Sequence, residues 1–167
     1  MKKIRVGILG VAEIAERYAI PAFKSLANVE LVAIASRNSE KAQAVATRHG
    51  LEAETYDSLI AREDIDVVYS PLPVGLQEEW TLKVAHSGKH VICEKSITYS
   101  LDSAQRMVDA FRSHGVALYE NFVPEFHPQH AKVLAIIESG KIGTPHVWAG
   151  LTDTHLAQKT ISDTEVI

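Results

Sequence analysis

The sequence holds a single cysteine, Cys93, among 167 residues. One thiol cannot close an internal disulfide, so a cystine-stapled secreted scaffold is excluded and a reducing compartment suits the chain. Glycine and proline are sparse, at nine and six residues, which excludes collagen-like and low-complexity classes. A basic excess is also lacking: 17 Lys and Arg stand against 21 Asp and Glu, a formal net charge of -4. That balance gives no reason to expect nucleic acid or an anionic membrane as partner. No apolar run approaches the roughly 20 residues that span a bilayer. Arg5 interrupts the first apolar stretch, and Glu13, Glu16 and Arg17 follow it. No signal-peptide core forms there, and the cytoplasm is the expected location.

What the chain does have is 46% apolar residues, arranged in a regular alternation. Short, predominantly apolar, β-branched runs at 4–9, 31–36, 65–70, 90–93 and 116–119 read as strands buried on both faces. Helical patterns at 13–26, 39–49, 76–87 and 101–114 lie between them. Ser39 and Ser100 stand where N-caps belong, and Gly50, Gly88 and Gly115 stand where helices end. Pro21 is expected to kink or end the first helix. Repeated strand, helix, strand units require right-handed crossovers, hence an α/β, Rossmann-type doubly wound parallel sheet with helices on both faces.

The segment Gly7-Ile8-Leu9-Gly10-Val11-Ala12-Glu13-Ile14-Ala15 joins the first strand to the first helix. Gly10, Ala12 and Ala15 fill a G-x-G-x-x-G/A frame whose middle position carries a methyl. Small residues at such a turn let the backbone approach a pyrophosphate, and the helix N-terminus offers it free N–H groups. By itself the match is weak, since an ordinary strand-to-helix turn looks similar. The second strand runs into Ala35-Ser36-Arg37, with Lys41 one helical turn further on. An acidic residue at that tip would accept bonds from a ribose 2′-hydroxyl and repel a 2′-phosphate, so Arg37 favours NADP over NAD. Glu30 has nearly the spacing of an NAD-type acid, but it opens its strand and is expected at the opposite sheet edge.

Three further stretches occur in order: Val68-Tyr69-Ser70-Pro71-Leu72-Pro73, then Gly88-Lys89-His90-Val91-Ile92-Cys93-Glu94-Lys95, then Glu120-Asn121-Phe122 with Phe126-His127-Pro128-Gln129. Together with the Gly7 to Ala15 turn they resemble the Gfo/Idh/MocA family of NAD(P)-dependent oxidoreductases. The resemblance implies hydride transfer between a nicotinamide and a sugar or polyol hydroxyl or carbonyl. It implies Lys95 as the catalytic lysine and Glu94 as the group that holds the nicotinamide ribose and orients Lys95. A lysine suits that work because its charge stabilises a developing alkoxide. Gly7, Gly10, Ala12, Glu13, Ile14, Ser36, Arg37, Lys41, Pro71, Leu72, Pro73, Gln77 and Asn121 complete the expected cofactor set. His127 and His130 could share a helix face, but no Cys or carboxylate cluster completes a metal site there.

The chain departs from the family at several places. The family carries Asn and His where this chain has Val74 and Gln77, which weakens two polar contacts near the nicotinamide. Ser96 stands where a proline follows the lysine. A cis bond without proline costs about 2.5 to 4 kcal/mol, so the Lys95–Ser96 bond is expected to be trans. Pro124 and Glu125 replace aromatic and basic residues. The chain divides by this reading into a dinucleotide-binding domain, 1–122, and the start of a second α/β domain, 123–167, with a first strand at 146–152. An unpaired sheet edge there favours pairing with a second copy. Two readings follow: the cofactor-binding half of a sugar or polyol oxidoreductase, or a catalytically silent, truncated nucleotide-binding remnant or accessory protein.

Overall fold

A computed structural model describes residues 2–147 of the chain. Two compact units divide it, Met1–Phe122 and Val123–Ile167. The first holds a parallel six-stranded sheet made of β1 (Ile4–Leu9), β2 (Val29–Ala35), β3 (Glu52–Glu54), β4 (Val67–Ser70), β5 (His90–Glu94) and β6 (Leu118–Asn121). Their order, β3-β2-β1-β4-β5-β6, reverses direction between β1 and β4. That order is the doubly wound Rossmann arrangement, and ligands of such sheets lie at the reversal, outside the carboxyl ends of the strands.

Each central strand is apolar on both faces because helices cover both. On one side Val6, Ile8, Ile34 and Tyr69 pack against Ala15, Ile20, Val45 and Ala46, which belong to a π-helical turn (Ala15–Ala19), to α1 (Ile20–Ser25) and to α2 (Ser39–His49). On the other, Leu9, Ala33, Val68, Val91 and Cys93 meet Leu59, Val84 and Phe111, from α3 (Tyr56–Ala61), α4 (Val74–His86) and α5 (Leu101–Ser113). Gly7 faces the second layer, where an added Cβ would lie 2.7 Å from Ile65 Cδ1 and 3.0 Å from Leu59 Cδ2. A side chain at Gly7 would therefore push α3 and the chain after it off the sheet.

Pro21 does not end the first helix. It sits in the first turn of α1, and the preceding turn is widened so that Ile20 N–H reaches Ala15 O, five residues back. Proline has no N–H to give and its ring crowds the carbonyl four residues earlier; the π-turn accommodates both. Asn38, not Ser39, caps α2, its Oδ1 accepting from Lys41 N–H at 2.9 Å. Ser100 caps α5 as the sequence predicts, and Gly50 closes α2 at φ 68°.

The sequence pattern misses β3 and α3. Glu-Ala-Glu is short and acidic, and its pairing with β2 is reinforced by Arg62 on the chain after α3. That guanidinium reaches Glu52 Oε2 at 2.5 Å, Glu54 Oε1 at 3.2 Å and Asp64 Oδ2 at 2.8 Å. The hydrogen bond from Arg62 holds the Asp64 carboxyl down at about 2. Charge on a short edge strand also discourages pairing with foreign strands.

Cys93 is completely buried, and that burial pushes its thiol up to about 11. Thiolate is the reactive form. Iodoacetamide at about pH 8 is therefore expected to leave the native protein unmodified and to alkylate Cys93 once guanidinium unfolds it, read by intact mass. Alkylation at one rate in both conditions would contradict the burial.

The second unit contains a 3-10 turn (Val123–Phe126) and α6 (Pro128–Glu138). His127 caps α6, its Nδ1 accepting from Gln129 N–H at 3.2 Å. Among the described residues no cluster of three metal-ligating side chains occurs, and no helix is long and apolar enough to cross a membrane. The strand expected at 146–152 lies, from residue 148 on, outside the described residues.

Candidate cofactor and active site

The turn after β1 begins at Gly10, whose φ of +127° is closed to ordinary L side chains. Its N–H donates to Ala35 O at 3.0 Å, tying the turn to the tip of β2. An added Cβ would meet Leu72 Cδ2 at 3.0 Å. Gly10 thus keeps both the required conformation and the gap between two strand tips. Ala15 is buried where the helix crosses the sheet, which explains a small residue at the third position of the frame.

A cleft of about 320 Å³ opens over this turn, walled by Gly10, Val11 and Ala12, by Ser36, Arg37, Asn38 and Lys41, and by Pro71, Leu72 and Pro73, with Tyr56 behind them. The loop that carries Arg37 is fixed by backbone and side-chain bonds. Ser36 N–H donates to Glu54 O at 3.2 Å, and Ser36 Oγ accepts from Asn38 N–H at 3.1 Å. Two cations stand beside the N-terminus of α2, whose dipole adds to their attraction for an anion.

A second cleft, of about 460 Å³, shares Pro71, Leu72 and Pro73 with the first and continues past Ile14 and Val74 to Glu94, Lys95, Ser96, Thr98 and Tyr99. Here the register of the sheet does the positioning. Glu94 and Asn121 lie side by side on β5 and β6, and the Asn121 amide donates to Glu94 Oε1 at 2.7 Å. Tyr69, on β4, donates its hydroxyl to the same oxygen at 2.8 Å. Burial and the Glu94 carboxylate push the Tyr69 phenol well above its usual range, so it remains a proton donor. Glu94 is itself buried and held at one oxygen by two donors, while Lys95, the next residue, is exposed to the cleft.

The Lys95–Ser96 peptide is cis, which corrects the expectation of a trans bond. The expectation weighed only the local preference of a non-proline amide. The turn also has tertiary anchors: Ile97 N–H donates to Glu120 Oε1 at 2.9 Å, and the Ile97 side chain packs on the core.

Of the residues expected at the cofactor, eleven line one cleft or the other: Gly10, Ala12, Ile14, Ser36, Arg37, Lys41, Pro71, Leu72, Pro73, Glu94 and Lys95. Four lie outside both linings. Gly7 is inside β1, Asn121 stands behind Glu94, and Glu13 pairs with Arg17 at 3.7 Å on a separate hollow. Gln77 is fully buried under the shared loop, where its Nε2 donates to Ser70 O and Leu72 O, each at 3.0 Å, and its Oε1 accepts from Ser70 Oγ at 2.9 Å. Its amide spans the loop from below instead of facing the cleft. Sequence reasoning missed Tyr56, Asn38, Thr98 and Tyr99. Thr55 and Ser58 form a reciprocal capping box, a signal for the start of α3 that says nothing of Tyr56 lining a cleft.

The model of the oxidoreductase family with an NAD-binding Rossmann fold matches residues 4–122. The chain belongs to the Gfo/Idh/MocA oxidoreductase family. Among its Gfo/Idh/MocA relatives, a dTDP-3,4-didehydro-2,6-dideoxy-alpha-D-glucose 3-reductase of Streptomyces violaceoruber is 40% identical over 144 residues, which cover 86% of this chain and 42% of that protein. The reductase of the same description from Actinomadura kijaniata is 42% identical over 141 residues, covering 84% and 42%. A crystal structure of a 3-ketoreductase from Actinomadura kijaniata in complex with TDP-benzene and NADP matches with a TM-score of 0.80 at 41% identity, over 83% of this chain and 44% of that one. The chain spans less than half the length of these Gfo/Idh/MocA relatives.

Proposed function

We propose that residues 1–122 form the NADP-binding domain of an oxidoreductase acting on a nucleotide-linked sugar, and that residues 123–167 begin its second α/β domain. The observation that carries this reading is the pair of clefts joined through Pro71, Leu72 and Pro73, with Arg37 and Lys41 at one end and Glu94 and Lys95 at the other. An extended dinucleotide has this layout. Arg37, Lys41 and Ser36 hold the 2′-phosphate, and the Gly10 to Ala12 turn receives the pyrophosphate. Glu94, fixed by Tyr69 and Asn121, accepts from the nicotinamide ribose. Lys95 reaches the reacting oxygen of the substrate and stabilises negative charge on it. When bound, the nicotinamide gives or takes the hydride. The sugar reductases among the relatives support a nucleotide-linked sugar as substrate.

The purified chain is expected to bind NADPH in the micromolar to millimolar range and NADH more weakly, measured by isothermal titration. Binding of neither cofactor would end this reading. Equal affinity for both would remove the NADP assignment and leave the dinucleotide.

A further inference from the structure

Tyr56 is 8% exposed and lines the first cleft. Among the described residues its hydroxyl has no hydrogen-bond partner, and the oxygen is not sealed from solvent. A phenol buried to this degree usually has its polar end satisfied. The ring itself is held firmly. It packs edge-on against Trp80 with centroids 4.9 Å apart, and Lys83 Nζ stands 3.7 Å over the Trp80 ring and 3.4 Å from Asp57 Oδ1. The Thr55–Ser58 capping box fixes the backbone from which Tyr56 projects. The chain thus holds a donor and acceptor in place, on a residue that lines the cleft, with nothing of its own to bond.

We infer that Tyr56 recognises the adenine of the dinucleotide, its hydroxyl meeting the N1/N6 edge of the base; the inference rests on the NADP reading above. The ribose end of the nucleotide is tied by its 2′-phosphate at Arg37 and by the pyrophosphate at Gly10. The base must enter the same cleft, and the edge remote from its ribose bond leads. Pro71 and Leu72 supply an apolar wall for the ring plane, and Tyr56 supplies the polar group at its far edge. A phenol hydroxyl accepts from N6–H or donates to N1.

Tyr56→Phe keeps the ring on Trp80 and removes one oxygen that bonds nothing in the free protein, so the variant is expected to fold as the parent does. It is expected to bind NADPH roughly three- to tenfold more weakly, the range of one neutral hydrogen bond. The control probe is 1,N6-etheno-NADPH, in which N1 and N6 are tied into an added ring. The parent should bind this probe more weakly than NADPH, while parent and variant bind it alike. Equal NADPH affinity in both proteins would overturn the inference. An equal loss on both probes would also overturn it, since the hydroxyl would then act away from that edge. If the parent bound neither probe, the NADP reading itself would fail and the inference with it.

Discussion

Arg37→Asp is expected to lower NADPH affinity by roughly two orders of magnitude and to leave NADH within a few-fold of the parent. A hydrogen bond to a charged group contributes about 1.5 to 3 kcal/mol, and a carboxylate in its place adds repulsion of the 2′-phosphate. NADH carries a diol there instead, and the introduced carboxylate would accept from it as the acid of NAD-type sites does. The loop should survive the change, because Ser36 and Asn38 hold it through bonds that do not involve the Arg37 side chain. Lys41 stays in place and limits the loss. Titration with both cofactors at one ionic strength decides the matter, since screening alters every phosphate contact. An equal fall for NADH and NADPH would mean that Arg37 shapes the site without reading the phosphate. No change would place the phosphate elsewhere.

The central sheet was legible because its strands are buried on both faces. Runs such as Ile4 to Leu9 and Val67 to Ser70 carry no polar alternation that could suggest an exposed sheet. The edge at β3 was not legible, because its stability comes from Arg62, which lies beyond the helix that follows it, and a local pattern does not register a guanidinium that folds back. Residues 36–41 and 71–73 were readable as loops at the tips of β2 and β4, and members of both segments line the first cleft. Tyr56 was hidden: as a buried aromatic in a core cluster it reads as packing, and only its unpaired hydroxyl beside the cleft separates it from Phe111 or Tyr69. The Lys95–Ser96 bond was misread for a related reason. Its geometry depends on Glu120 and on the seat of Ile97, both set by tertiary structure.

The two clefts depend on one short loop, and the loop depends on one buried amide. Pro71 and Pro73 have no N–H with which to anchor residues 71–73, so their fixed position must come from carbonyl groups and packing. Gln77 supplies it by donating to Ser70 O and Leu72 O from the first turns of α4. Gln77→Leu keeps most of the volume and removes both donors, which leaves two buried carbonyls and the Ser70 hydroxyl short of partners. At about 1 to 3 kcal/mol for each of the three orphaned buried groups, the expected loss is roughly 3 to 9 kcal/mol. For a domain of this size that is a fall of roughly 10 °C or more in melting temperature. NADPH affinity should fall as well, since both clefts lose a fixed wall. Gln77→Glu separates hydrogen bonding from shape. An ionised carboxylate in place of the amide cannot donate and would be a buried anion, so its folded pKa must lie above the unfolded glutamate value near 4.3. The folded state then binds more protons than the unfolded state through the window between those two values. Stability of Gln77→Glu should therefore rise as pH falls toward 5, in a range where the parent and Gln77→Leu stay level or decline. Identical melting temperatures for all three proteins across that range would show that the amide carries no weight in holding the loop.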